Sequence, residues 1–164
     1  KQELNLLDGY TPTNDLLNDA KQILLGIQKA AYRAVNLALV QCNWLLGYRI
    51  AQEELKGEGR SEYGTAVIRK LAKELTAEYG KGFDYSSLYK YFRFYKLYPE
   101  IVDSVSPQSG ALLSWTRYRV LLQVEDKTAR DWYTKEAALA TEEELRAEIE
   151  TQKEMFYLQH NQNK

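Results

Sequence analysis

The stretch GKGFDYSSLYKYFRFYKLY, residues 80–98, decides the fold. Gly80-Lys81-Gly82 ends one helix in the way that left-handed glycine caps do, and Asp84 or Ser86 opens another that Pro99 stops. A helix, a short glycine-containing turn and a second short helix make a helix-turn-helix-like unit. On the second helix Leu88, Tyr91, Phe92, Tyr95 and Tyr98 fall on one broad apolar face. Lys90, Arg93 and Lys96 step by three along another, while Tyr85 and Tyr89 place hydroxyls near the helix start. That combination suits docking on a phosphate backbone. It also describes a core helix with a solvated basic side, because lysine and arginine stems cover apolar surface well.

Helical spacing continues on both sides. Upstream, Ser61 stands ahead of Tyr63, Val67, Leu71, Leu75 and Tyr79, a stripe of period 3.6. Before it, Lys56-Gly57-Glu58-Gly59-Arg60 reads as a loop. After Pro12, Thr13 or Asn14 can cap a first helix that the pattern carries from about Asn14 to Leu55. Its apolar residues include Leu16, Ala20, Ile23, Ile27, Ala34, Leu37, Trp44 and Tyr48, with Gly26 as a weak point and Asn36 and Gln41 on or near the stripe. A rod of that length usually has a partner helix alongside, from this chain or another. Since the remaining helices are too short to cover the stripe, a homodimer made mainly by the first helix is expected. Downstream of a loop near 100–113, Ser114, Asp126 and Thr141 precede helical patterns near 115–124, 127–139 and 142–158. No segment alternates with period 2, so the fold expected is all-α with six helices. Residues 1–12 read as a flexible segment, 13–141 as the helical domain, and 142–164 as a C-terminal helix and tail leading toward a further domain. The chain is thus expected to be the front part of a longer protein.

Composition narrows the function. The 164 residues are 45% hydrophobic and carry a formal charge of −1, which excludes composition-driven disorder and any global attraction to polyanions. Charge is nevertheless unevenly spread. Residues 60–98 hold 8 Lys/Arg against 4 Asp/Glu, so nucleic acid, if bound, belongs there. The single Cys42 allows no internal disulfide, and the charge-free run Ala34–Tyr48 is too short and polar for a bilayer, so a cytoplasmic protein without a membrane segment is expected. Trp44, Trp115 and Trp132 lie on apolar stripes and read as packing residues.

Catalytic chemistry is not found. His160 is the only histidine and sits in a polar tail, which removes the base of a Ser–His or Cys–His arrangement and the ligands of a His/Cys zinc site. No phosphate-cradling glycine motif follows a strand. Glu142-Glu143-Glu144 offsets a helix dipole more readily than it binds a cation. Asp103 with Glu125-Asp126-Lys127 mimics the acid order of metal-dependent nucleases, but that chemistry needs adjacent strands, and these positions read as loop and helix start. The chain is expected to be no enzyme, with no cofactor and no metal site.

Several strings in order carry a resemblance: Asn36, Trp44, Gly47 and Ile50; GRSEYG at 59–64 with Leu71 and Leu75; GKGF at 80–83 leading to Leu88, Arg93, Phe94 and Tyr95; and LLSWTRYRVLLQVED at 112–126 followed by Ala129, Arg130, Tyr133 and Glu136. The chain resembles the N-terminal domain of the YhcG-like family of bacterial PD-(D/E)XK nucleases. Arg117 stands where a histidine is expected, and Ala140 and Glu143 replace an aromatic and an arginine in the last helix. The resemblance implies a helper role beside a metal-dependent nuclease domain that this chain does not contain, so no catalytic residue carries over. Two functions follow. One is a DNA-binding module using Lys81, Lys90, Arg93 and Lys96, with Arg60 and Arg69 as outriders; the other is an oligomerisation module that positions the nuclease without touching DNA.

Overall fold

The computed structural model describes residues 10–101 and 113–137, together with 147, 150 and 151. Among these it is all-helical: α1 (Leu16–Leu55), α2 (Ser61–Tyr79), α3 (Tyr85–Leu97), α4 (Trp115–Leu121) and α5 (Lys127–Glu136). The expected sixth helix, 142–158, falls almost wholly outside the described residues, as do the segments 1–9, 138–146 and the acidic run. The chain forms two compact units, residues 1–39 and 40–164.

In the first unit the helix start is built around Asp19. Its carboxylate accepts from the Thr13 backbone N–H at 2.9 Å and from the Thr13 hydroxyl at 2.6 Å, and these bonds hold it below the usual carboxylate range. Asp15, not Thr13 or Asn14, precedes the first helical residue, and its side chain accepts from the Asn18 N–H. A residue directly ahead of the first turn reaches those unpaired amides best. From there α1 continues unbroken through Gly26 for 40 residues. In this unit Leu16, Leu24, Tyr32 and Val35 are all more than half exposed, while Ile23 and Leu37 are half-buried. By length and composition alone, an 18-residue stretch within α1 is sufficient to cross a membrane. A single apolar helix of this length is also what the core helix of a soluble protein provides.

The second unit holds two apolar clusters. Val40, Trp44, Phe94, Tyr118, Leu121 and Tyr133 lie in one; Ile50, Ile68, Ala72, Leu88 and Tyr91 lie in the other, and Trp115 packs against both. α3 is the element they share. Gly47 of α1 lies so close to it that a Cβ there would collide with the Tyr91 carbonyl oxygen and sit 3.1 Å from Tyr95 Cβ. Trp44 donates its indole N–H to the Tyr98 carbonyl at 2.9 Å, which satisfies a terminal acceptor of α3. Tyr91 donates to the Gly82 carbonyl at 2.9 Å and so fixes the α2–α3 turn, where Gly80 and Gly82 hold φ of 80° and 99°. Phe94, fully buried, meets Tyr98, Trp115 and Tyr118 at centroid separations of 4.8–5.7 Å.

Three local expectations need correction. Ser61 is the first helical residue rather than the cap, which is Arg60. Phe94, absent from the expected apolar face of α3, is its most buried side chain together with Leu88. Trp132 is 50% exposed, with its ring edge-on to Tyr133, because α5 buries only the side on which Arg130 and Tyr133 lie.

Two predictions follow from this packing. Gly47→Ala would gain ~1 kcal/mol of helix propensity but force a methyl against backbone, at a cost of ~3 kcal/mol, so a net loss of about 2 kcal/mol is expected in urea unfolding. Burial pushes the Tyr118 hydroxyl up to about 12 and also raises those of Tyr91 and Tyr98. A raised folded-state pKa leaves the stabilisation intact below the unfolded tyrosine value of ~10 and removes it as pH rises toward 12. Stability measured by urea at pH 8 and 9 should therefore agree, then fall steeply at pH 11, and Tyr118→Phe should flatten that fall.

Candidate nucleic-acid interface

α3 presents its outer sides to two settings. Toward α4, Ser86, Tyr89, Lys90 and Arg93 face Thr116, Arg119 and Val120, with Leu122 and Gln123 beyond, across a cleft of about 240 Å³. The i, i+3 and i+4 spacing of Ser86, Tyr89, Lys90 and Arg93 puts all four on one helical side. Thr116, Arg119, Val120 and Gln123 do the same from the opposite wall. Three cations, three hydroxyls and one amide thus converge on a concave surface. Lys90 and Arg93 are half-buried there and Arg119 is exposed. Asp84 is an acid close enough to feel the Lys90 charge. Its carboxylate is held below the usual range mainly by the Ser87 hydroxyl, with a smaller contribution from Lys90. Two guanidinium groups with a lysine and hydroxyls in one cleft have the donor set that a phosphodiester requires.

Toward solvent, α3 carries an aromatic ladder. Tyr85 and Tyr89 stack with ring planes 4° apart and centroids separated by 6.3 Å, and Phe92 follows at 6.3 Å from Tyr89. Cations flank both ends: the Arg69 guanidinium lies 5.9 Å from the Tyr85 ring centre, and the Lys96 ammonium 5.6 Å from that of Phe92.

The expected binding residues therefore separate. Lys90 and Arg93 share the cleft. Lys96, expected on the same stripe, instead turns over Phe92, because a further step of three carries it around the helix toward the ladder. Arg69 joins the ladder from α2. Lys81 is exposed at the α2–α3 turn. Arg60 folds back on its own loop, its Nε–H donating to the Gly57 carbonyl at 3.1 Å. Arg119, Thr116 and Gln123 were not anticipated. The signal lay in the string WTRYRVLLQ, where Thr116, Arg119 and Gln123 recur at 3 and 4 residues opposite a buried Tyr118–Leu121–Leu122 side.

The other arginines nearby have structural work. Arg130 is buried and donates to the carbonyls of Val124 and Glu125 at 2.9 and 3.2 Å, which fastens α5 to the segment before it. Arg117 donates to the Ala137 carbonyl at 2.9 Å, a cation placed at the C-terminal end of α5. Asp126 accepts from the Ala129 N–H at 2.8 Å as the N-cap of α5, so the Glu125-Asp126-Lys127 string forms a helix start. Among the described residues no three His, Cys, Asp or Glu side chains converge on a common point.

Comparison with known proteins places these features in a family. A model of the DUF1016 N-terminal domain matches residues 19–158. A protein of Escherichia coli (strain K12) named "Putative nuclease YhcG" is 32% identical over 80 residues, which are 49% of this chain and 21% of that protein. The chain thus spans only a minor part of that relative's length. No solved structure matches.

Proposed function

The chain belongs to the DUF1016 N-terminal domain family, the N-terminal domain of YhcG-like proteins, and we propose that it is the DNA-docking module of a nuclease. The observation that carries this reading is the cleft in which Lys90, Arg93 and Arg119 converge with hydroxyl groups from α3 and α4. Each would take a phosphate oxygen, and the hydroxyls would fix the register of the backbone without reading bases. The parent protein would then supply a metal-dependent nuclease domain in the same polypeptide, and the cytoplasm is the compartment in which such a protein meets DNA. The module itself contributes placement, with no catalytic residue and no cofactor.

Phosphate contacts release counterions, which makes the reading measurable. Lys90→Glu, Arg93→Glu and Arg119→Glu together should lower the salt slope of duplex binding by about 2.7, at ~0.9 per contact. Circular dichroism should stay unchanged, since none of the three is buried. A wild-type chain with no salt-sensitive affinity for DNA would refute the proposal.

A second reading concerns assembly, and a half-buried to exposed apolar stripe along the first unit supports it. Leu16, Ala20, Ile23, Ile27, Ala30, Ala34 and Leu37 follow strict 4-3 spacing, the pattern of a coiled-coil seam, and small alanines on it permit close approach of a second helix. A homodimer through α1 would present two DNA-docking modules together and is compatible with the first reading. Light scattering should show a dimer at tens of micromolar protein, and Ile23→Asp with Ile27→Asp should convert it to monomer; a wild-type monomer would exclude this assembly.

A further inference from the structure

We propose that Tyr85 and Tyr89 form a stacking platform for unpaired bases, so that the DNA docked by this module is single-stranded, either alone or as an arm of a branched molecule. The inference rests on the reading of the neighbouring cleft as a phosphate site and specifies what that site accepts. Tyr85 and Tyr89 are 37% and 44% exposed, and neither ring belongs to the apolar clusters that hold the fold together. Packing therefore does not explain them. Their planes are parallel within 4° and lie one helical turn apart on the solvent side of α3. Arg69 extends the row with a second flat group that bases stack on.

Position gives the rings a partner. Tyr89 also lines the cationic cleft, beside Lys90 and Arg93 on the same helix. A strand whose phosphates enter the cleft would have its bases within reach of the Tyr89 face, and then of Tyr85. In a duplex the base faces are covered by their neighbours, and only the sugar-phosphate edge and the grooves remain for contact. Exposed parallel rings beside a cationic groove match single strands, where stacking tolerates every base because every base has a π-face.

The test compares a labelled single strand of about 20 nucleotides with its duplex, using the 164-residue chain and three sets of rings. Wild-type protein should prefer the single strand. Tyr85→Leu with Tyr89→Leu keeps apolar side chains on a good helix former but removes the π-faces, and should weaken single-strand binding about tenfold or more. Duplex binding, which loses only the Tyr89 hydroxyl at the cleft, should fall about threefold or less. Tyr85→Phe with Tyr89→Phe keeps the rings and loses the hydroxyls, so single-strand affinity should fall only by the small loss of the Tyr89 hydroxyl, about threefold or less; a loss equal to that of the leucine pair would show that the hydroxyls, not stacking, make the contact. Photo-crosslinking of a 5-iodouracil strand should map to Tyr85 or Tyr89. Salt-sensitive DNA binding that the leucine pair leaves unchanged on single strands would overturn the platform alone. Absence of affinity for either DNA form would overturn the cleft reading and the platform together.

Discussion

The close approach of α1 and α3 at Gly47 is the constraint on which the second unit depends. Without a side chain at that position the backbone of Tyr91 comes to rest almost against α1, and the rotation of α3 about its own axis is then fixed. Leu88 and Tyr91 are buried in one apolar cluster, and Phe94 turns into the other. What remains of a 13-residue helix is the arc that carries Ser86, Lys90 and Arg93 and the arc that carries Tyr85, Tyr89 and Lys96. Neither was available to the core. The polar and aromatic surface of α3 is therefore as rigid as the packing behind it, a condition for any site that must hold a ligand in one register.

Hydrogen bonds to backbone carbonyls separate the arginines that hold the fold from those that line the cleft. Arg130 and Arg117 spend their donors on backbone carbonyls, where a cation at a helix end or loop offsets unpaired acceptors. Removing either would leave carbonyl groups without partners. Arg93 and Arg119 stand instead at an open cleft lined from both sides by hydrogen-bonding groups, with no carboxylate among its lining residues. A histidine at 117 could also meet the Ala137 carbonyl, but Arg117 does so with a charge that does not titrate near neutrality. The departure from the expected residue is thus compatible with the same helix-end role.

Much of this was legible in the sequence, and the gaps have physical causes. The unbroken apolar period without proline locates α1, Ser114 and Asp126 stand one residue ahead of their helices as expected, and of the two starts offered for α3 it is Asp84 that precedes it. Local capping chemistry is encoded within four residues, so it can be read from a single strand of text. Phe94 was missed because α3 is buried on two sides at once, toward both clusters, and a single-stripe pattern cannot describe such a helix. Arg119 was missed for a related reason. The cleft joins residues about thirty positions apart, and only the crossing of α3 and α4 reveals that two modest polar sides share one space. Trp132 lies half in solvent because the apolar stripe that carries it is not the buried side of α5, which holds Arg130 and Tyr133, and large aromatics are often left partly exposed.

Net charge would have argued against polyanion binding altogether. A chain of formal charge −1 has no long-range field to attract DNA, and at physiological ionic strength charges more than ~8 Å apart are screened from one another in any case. Within a cleft of about 240 Å³ the relevant distances are shorter than that, so the local set Lys90, Arg93 and Arg119 acts largely independently of the acids elsewhere in the sequence. Such a site would discriminate by contact rather than by steering. Its association would be slow beside that of a strongly basic protein, and its affinity would depend on how many phosphates and rings are engaged at once. Weak single sites gain most from repetition, because a second linked site binds at a raised effective concentration. An α1-mediated dimer would supply that repetition, which makes the assembly and docking readings parts of one physical argument.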